Sequence, residues 1–334
     1  MNMKNKLAFL LVAVLLLLAA CGTGSDKESS TKTETDNKGT EEAKTYKIGV
    51  TQIVEHPSLD AAYKGFQAAF EEAGIKAEFI YNTANGDNNA NMSIAQKLVG
   101  DQVDLIFANS TPSAQAAKSA TNDIPIVFTS VTDAVDAQLI DSMEAPGGNV
   151  TGTIDLHPDT IANTVAFIKN ELGAKKVGTI YNSGEQNSVA QIAQVKQALT
   201  EAGLELVEAS VATSAEVKQA TESLVGKVDA LYIVTDNTVV SALESVIDVA
   251  KTNSLPTMVG ELDSVARGGL GAYGFEYYDI GYEAGQMALK ILEEGKSPSE
   301  VPAAYPANLK LVINKGTADS LGIEIKDAWN AEVK

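Results

Sequence analysis

Short polar side chains recur at one kind of place in this chain, just after an apolar run and just before a helical stretch. "LIFANSTPSAQ" (105–115) runs from Leu105, Ile106 and Phe107 into Asn109, Ser110 and Thr111, then through Pro112 into a helical pattern. "VDALYIVTDNT" closes in the same way on Thr235, Asp236, Asn237 and Thr238. Thr51, Gln52, Glu55 and His56 end "KIGVTQI" (47–53), and Thr129, Ser130, Thr132 and Asp133 end "IPIVFTS" (124–130). Asn182, Ser183, Glu185 and Asn187 follow "KVGTIYN" (176–182), and Glu261, Asp263 and Ser264 close "LPTMVGELDS". Each of these residues alone is more readily a helix cap than a ligand contact. Their recurrence at matching points favours a site for the set.

The two groups of ends differ chemically. Ser110 and Thr111 stand before a helix N-terminus, where free backbone N–H groups favour an anion such as a carboxylate. The helix dipole is worth about 0.3–1 kcal/mol there and a hydrogen bond to a charged group about 1.5–3, so hydrogen bonding dominates. Glu185, Asp236 and Glu261 offer carboxylates instead, which suit an ammonium group. An amino acid has that polarity. A sugar or nucleoside would use the same hydroxyls and carboxylates differently. An enzyme of the cleft type needs a nucleophile or a poised acid–base pair. No G-x-S-x-G elbow is present, and the spacing of Glu55 and Asp133 does not single them out as a glycosidase pair. His56 and His157 are far apart, there is one cysteine, and no zinc pattern or Walker loop occurs, so no metal or cofactor is expected. Gly269, Gly271 and Gly274 spell G-x-G-x-x-G without an apolar strand before it, and read as a hinge turn.

What must position these residues is a duplicated frame. Apolar runs alternate with amphipathic stretches: Leu59, Ala62, Tyr63, Phe66, Ala69 and Phe70 share helical spacing, as do Val189, Ile192, Val195 and Leu199. "FEEAGI" (70–75) corresponds to "LTEAGL" (199–204), and "LVG" at 98–100 to "LVG" at 224–226, a period of about 130 residues that marks a doubled domain. Alternating strands and helices predict parallel sheets covered on both faces, with ligands beyond the carboxyl ends of the strands. The expected fold is α/β, two Rossmann-like lobes facing each other across a cleft. Tyr81, Phe128, Tyr181, Tyr273, Tyr277 and Tyr278 are the aromatics nearest it, and Tyr273 stands out in what reads as a crossover.

Residues 1–20 read as an export signal, with Lys4 and Lys6 before an apolar run from Leu7 to Leu18 that is short for a membrane span. Cys21 follows Leu18-Ala19-Ala20, which resembles a bacterial lipobox and implies lipidation of Cys21. Residues 21–45 are nearly free of apolar side chains and read as a tether. The formal charge is −19, and −21 without the two signal lysines, which repels nucleic acid.

"GAYGFEYYDIGYEAGQMALKIL" (271–292), "LVINKGTADSLGI" (311–323), "IPIVFTSVTDAV" and "PGGNVTGT" (146–153) are similar to ABC-importer substrate-binding lipoproteins of the type I periplasmic-binding fold. Within that fold they resemble the receptors for tryptophan and other aromatic amino acids. The resemblance covers nearly all of 46–330. It implies lobes joined by a three-strand hinge, the first being 46–152 plus 275–306 and the second 153–274 plus 307–334. It implies a carboxylate held by Asn109, Ser110, Thr111, Thr129 and Ser130, with Asp236 and Asn237 meeting the ligand from the second lobe and Asp133 after the fourth strand. Thr51, Glu55, Asn182, Glu185, Glu261 and Tyr273 complete the expected ligand-binding set. The implied partners are an amino acid, most simply an aromatic one, and an ABC permease. The protein is expected to be a monomer held outside a Gram-positive cell by lipidated Cys21.

Overall fold

The computed structural model describes residues 44–334; the signal, Cys21 and nearly all of the tether lie outside them. β1 (Tyr46–Gln52), α1 (Pro57–Glu72), β2 (Ala77–Thr83), α2 (Asn88–Gly100), β3 (Leu105–Asn109), α3 (Thr111–Ala120) and β4 (Ile126–Val131) alternate, and β5 (Val150–Ile154) follows a long loop. They build a five-stranded sheet, ordered β2-β1-β3-β4-β5, in which every pairing is parallel. All five residues of β3 are buried. That explains its unbroken apolar start, because a parallel strand is covered on both faces.

The second copy runs through α4 (Thr160–Asn170), β6 (Lys176–Asn182), α5 (Gln186–Ala202), β7 (Glu205–Val211), α6 (Val217–Leu224) and β8 (Ala230–Ile233). It continues through α7 (Asn237–Ser241), α8 (Leu243–Thr252), β9 (Thr257–Val259), α9 (Leu262–Ala266) and β10 (Gly271–Gly274). Its strands are ordered β7-β6-β8-β9-β10, the order of the first sheet repeated. The duplication read from short matching words is therefore a duplication of topology.

The chain then returns. α10 (Tyr277–Leu292) packs on α1, and its Ala284, Met287, Ala288 and Ile291 share a core with Phe66, Phe70 and Phe107 of the first lobe. β11 (Lys310–Ile313) lies antiparallel to β10, α11 (Lys315–Leu321) follows, and β12 (Glu332–Val333) closes the second sheet. Three short segments, 155–159, 275–276 and 305–309, thus connect the lobes. β5 stays in the first sheet through Ile154, whereas the sequence reading ends that lobe at 152. The glycines around 271 are not a hinge turn, because Gly271–Gly274 is strand β10. A Cβ on Gly271 would lie 2.5 Å from Ile313 Cδ1 and 2.8 Å from the Val312 carbonyl, so the bare backbone lets β11 approach. No described helix is long and apolar enough to cross a membrane.

Candidate functional site between the lobes

The carboxyl ends of both sheets bring their polar residues to the seam between the lobes. On the first lobe, Asn109 donates from Nδ2 to Gln52 Oε1 and to the Leu59 carbonyl, both at 2.8 Å, and accepts from Ser130 Oγ at 2.8 Å. Thr51 donates to Asn91 Oδ1 at 3.0 Å. Thr129 Oγ1 sits 2.8 Å from Thr153 Oγ1, which in turn donates to the Ile280 carbonyl, so Thr129 is committed toward α10. These three side chains tie the lobe together. Glu55 is exposed, and Asp133 Oδ1 accepts the Val135 and Asp136 N–H groups as a turn cap.

Ser110 and Thr111 are different. Ser110 has φ +117° and Ser130 φ +56°, both in the region that side chains avoid. Such strain costs on the order of 1–3 kcal/mol and gathers at functional sites. Ser110 caps α3, accepting from the Ser113 N–H at 3.3 Å. Thr111 is the first residue of that helix; its Oγ1 is buried and has no hydrogen-bond partner in the protein.

On the second lobe, two of the three expected carboxylates are occupied internally. Asp236 accepts from the Asn182 N–H and Ser188 Oγ at 2.6 Å through Oδ2, and from the Val239 N–H at 2.8 Å through Oδ1. Burial first, then the charge of Glu185, pushes its pKa up to about 7. Glu185 receives Asn237 Nδ2 at 2.6 Å, Thr238 Oγ1 at 2.7 Å and both of their backbone N–H groups. Asn182 also donates to Thr238 Oγ1. Glu185, Asn182, Asp236 and Asn237 therefore form one cap around the start of α7. Asp236→Ala is expected to lose about 0.5–2 kcal/mol of stability, read from a urea unfolding midpoint with unchanged slope. Glu261 alone of the three reaches across the seam: its Oε2 accepts from Ser58 Oγ of α1 at 2.8 Å and from Ser264 Oγ at 3.1 Å. Tyr273 is not at the seam. Its ring meets Phe167 edge-on at 6.3 Å in the second-lobe core, on the α4 side of the sheet.

Sequence reading misses Asp155, and it names His56 and Asn187 only as strand-end polar residues outside the expected ligand-binding set. Asp155 follows β5 on the first crossing and is buried; Oδ2 accepts from Tyr277 OH at 2.8 Å, and Oδ1 has no partner. Burial raises its pKa to about 6, against the hydrogen bond from Tyr277. His56 Nδ1 is partnerless too, and burial, reinforced by the Arg267 charge, lowers its pKa to about 4. Asn187 Oδ1, at the start of α5, is a third such atom. Buried polar groups almost always have partners. Ten side-chain atoms among the described residues lack one, and they include Thr111 Oγ1, His56 Nδ1, Asp155 Oδ1 and Asn187 Oδ1, four atoms at strand-end or crossing positions contributed by both lobes and the hinge. The only sequence signal for Asp155 was an acid ending the strand "VTGTI".

Two lobes that share a five-strand parallel order, joined by three crossings and lined at their seam with polar groups, define a two-lobed ligand-capturing protein. The chain belongs to the ABC transporter substrate binding protein family, whose pattern matches residues 47–333. It is 41% identical over 332 residues to the tyrosine-binding protein of Clostridioides difficile, covering 98% of this chain and 95% of that one. An ABC domain from Streptococcus pneumonia solved in complex with L-Trp superimposes with a TM-score of 0.82 at 32% identity, covering 87% of this chain and all of that one. The ligand-free, open structure of a substrate binding protein with adhesive properties from Clostridium difficile gives 0.65 at 40% identity, covering 86% of this chain and 99% of that one. The L-Trp complex thus superimposes better than the ligand-free, open structure despite its lower identity. That fits a closed arrangement of the lobes here, as do the cross-lobe hydrogen bonds Ser58–Glu261 and Gln186 Nε2 to Asp136 Oδ2 (2.5 Å).

Proposed function

We propose that this substrate-binding protein captures an aromatic α-amino acid between its lobes and presents it to a membrane permease that recognises the closed form. The observation that carries the reading is the set of four partnerless buried polar atoms, acidic at Asp155 and hydroxylic at Thr111 on a helix N-terminus. A carboxylate at Thr111 and an ammonium at Asp155 would supply what each lacks. The C. difficile relative's name and the L-Trp bound to the pneumococcal protein support an aromatic side chain. Nothing in the seam resembles a nucleophile with its base, so binding without turnover is part of the proposal. So are a monomeric state, an extracytoplasmic location and anchoring through Cys21, which rest on the sequence.

A thermal-shift panel of amino acids, nucleosides and sugars tests the ligand class. At a hundred times its dissociation constant a true ligand adds about 2.7 kcal/mol. Tyrosine, phenylalanine or tryptophan should raise the melting temperature; a rise with a nucleoside alone rejects the reading. Acid should weaken the interaction. Protonation of Asp155 and Glu261, whose pKa values burial lifts to about 6 and about 7, removes the charge that holds the ammonium. Affinity is expected to decline as pH falls through about 7 and then about 6, and to be at least tenfold lower at pH 5 than at pH 8, as read by calorimetry.

A further inference from the structure

Asp155 and Glu261 are buried at the seam, and neither has a lysine or arginine within salt-bridge distance among the described residues. Asp155 comes from the first crossing and Glu261 from the tip of β9, and with the lobes together the charge of Glu261 bears on Asp155. The groups around them are few. Asp155 faces Tyr277 of α10, Thr132 and Glu261; Glu261 faces Ser58 of α1, Ser264 and Asp263 of α9, and the more distant Arg267, which is held by Glu244 at 2.7 Å. His56, the nearby base, stays neutral above its lowered pKa of about 4 and so brings no cation at ordinary pH. Closing the lobes therefore moves two carboxylates out of water toward each other with no protein cation between them, an arrangement that costs strongly unless a positive charge joins it.

We propose that Asp155 and Glu261 act together as a charge gate, which holds the ligand-free lobes apart and makes a cationic nitrogen on the ligand the condition for closure. The gate rests on the amino acid reading for its natural trigger but not for its mechanism. A ligand shifts a two-state equilibrium only by its differential affinity, and here the differential is built into the closed state. The Ser58–Glu261 bond then closes the latch from the opposite lobe. Protons should mimic the ligand. A carboxyl with a raised pKa in the closed form favours that form below its open-state value and loses the effect as pH rises through the raised one. Burial raises both Asp155 and Glu261. Asp236 is raised as well but lies under α7, so neutralising substitutions at a fixed pH isolate the gate.

The test is electron–electron distance measurement on the full-length chain carrying Cys21→Ser, with spin labels at Val135→Cys and Val189→Cys. Both positions are exposed, on opposite lobes beside the Asp136–Gln186 tie. Without ligand at pH 7.5 the long distance should dominate. In Asp155→Asn/Glu261→Gln, and in the unsubstituted pair at pH 5, the closed-to-open ratio should rise at least tenfold. L-tyrosine should close the unsubstituted pair at pH 7.5, and its desamino analogue should not. If the neutral double variant stays as open as its parent while L-tyrosine closes both, the gate is wrong and the ligand class stands. If the variant closes by itself while no amino acid closes the parent, the gate stands and the ligand class falls.

Discussion

Replacing Asp155 with alanine is expected to weaken amino acid binding by roughly ten- to a hundredfold, the largest effect of any single side chain at the seam. The size follows from the kind of bond removed. A hydrogen bond to a charged group is worth about 1.5–3 kcal/mol, and each 1.4 kcal/mol is a factor of ten in affinity. Asp155 Oδ1 makes no hydrogen bond within the protein, with the Thr132 hydroxyl beside the carboxylate, whereas Oδ2 is held by Tyr277. The alanine therefore removes one ligand bond and leaves one tyrosine hydroxyl unpaired. Asp236→Ala should give the opposite pattern, less stability with affinity reduced much less, because all three hydrogen bonds to Asp236 come from its own lobe. Isothermal titration of both variants with L-tyrosine separates them. Equal losses of affinity would mean that Asp236 reorganises when ligand enters.

The second large effect concerns stability, far from any ligand. Gly281→Val is expected to cost 3 kcal/mol or more, about the upper end of the range for overpacking a close contact. On α10, a Cβ at position 281 would lie 1.8 Å from the Ala62 carbonyl oxygen of α1; one on Gly65 would lie 2.0 Å from the Tyr278 carbonyl. Both obstacles are backbone, so no rotamer change relieves them. The helices would have to separate, opening the core in which Phe66 stacks on Phe107 with centroids 3.9 Å apart. Gly100→Ala, at the end of α2 with nothing within 4 Å of its new methyl, is the control and should be neutral or slightly stabilising. Chemical denaturation of both proteins reads the difference.

Residue patterns alone convey the alternation of strands and helices, the doubled topology and the rim on which polar groups gather. They do so because a parallel sheet demands apolar runs that break into helix starts at regular spacing. They do not tell a cap from a ligand contact. Asp236, Glu185 and Asn237 have the types and positions of ligand-binding residues, and the fold uses them to hold the start of α7. Thr111 has the same type and does not find a partner. The difference depends on which way a side chain turns, and that is set by neighbours distant in sequence, such as Ser188 for Asp236. Asp155 gives no such signal because the matching strand of the second copy, β10, runs on into Phe275 and not into an acid. Tyr273 drew notice because glycines surround it, yet those glycines serve the approach of β11, and its ring turns into the second-lobe core.

The most direct measurement is a crystal structure of the protein grown with L-tyrosine. An amino acid lying between the two sheets, its carboxylate on Thr111 and the α3 N-terminus and its ammonium within hydrogen-bond reach of Asp155 Oδ1, is the predicted result. Density for the amino acid outside the seam, or reversed so that its carboxylate meets Asp155, would contradict it.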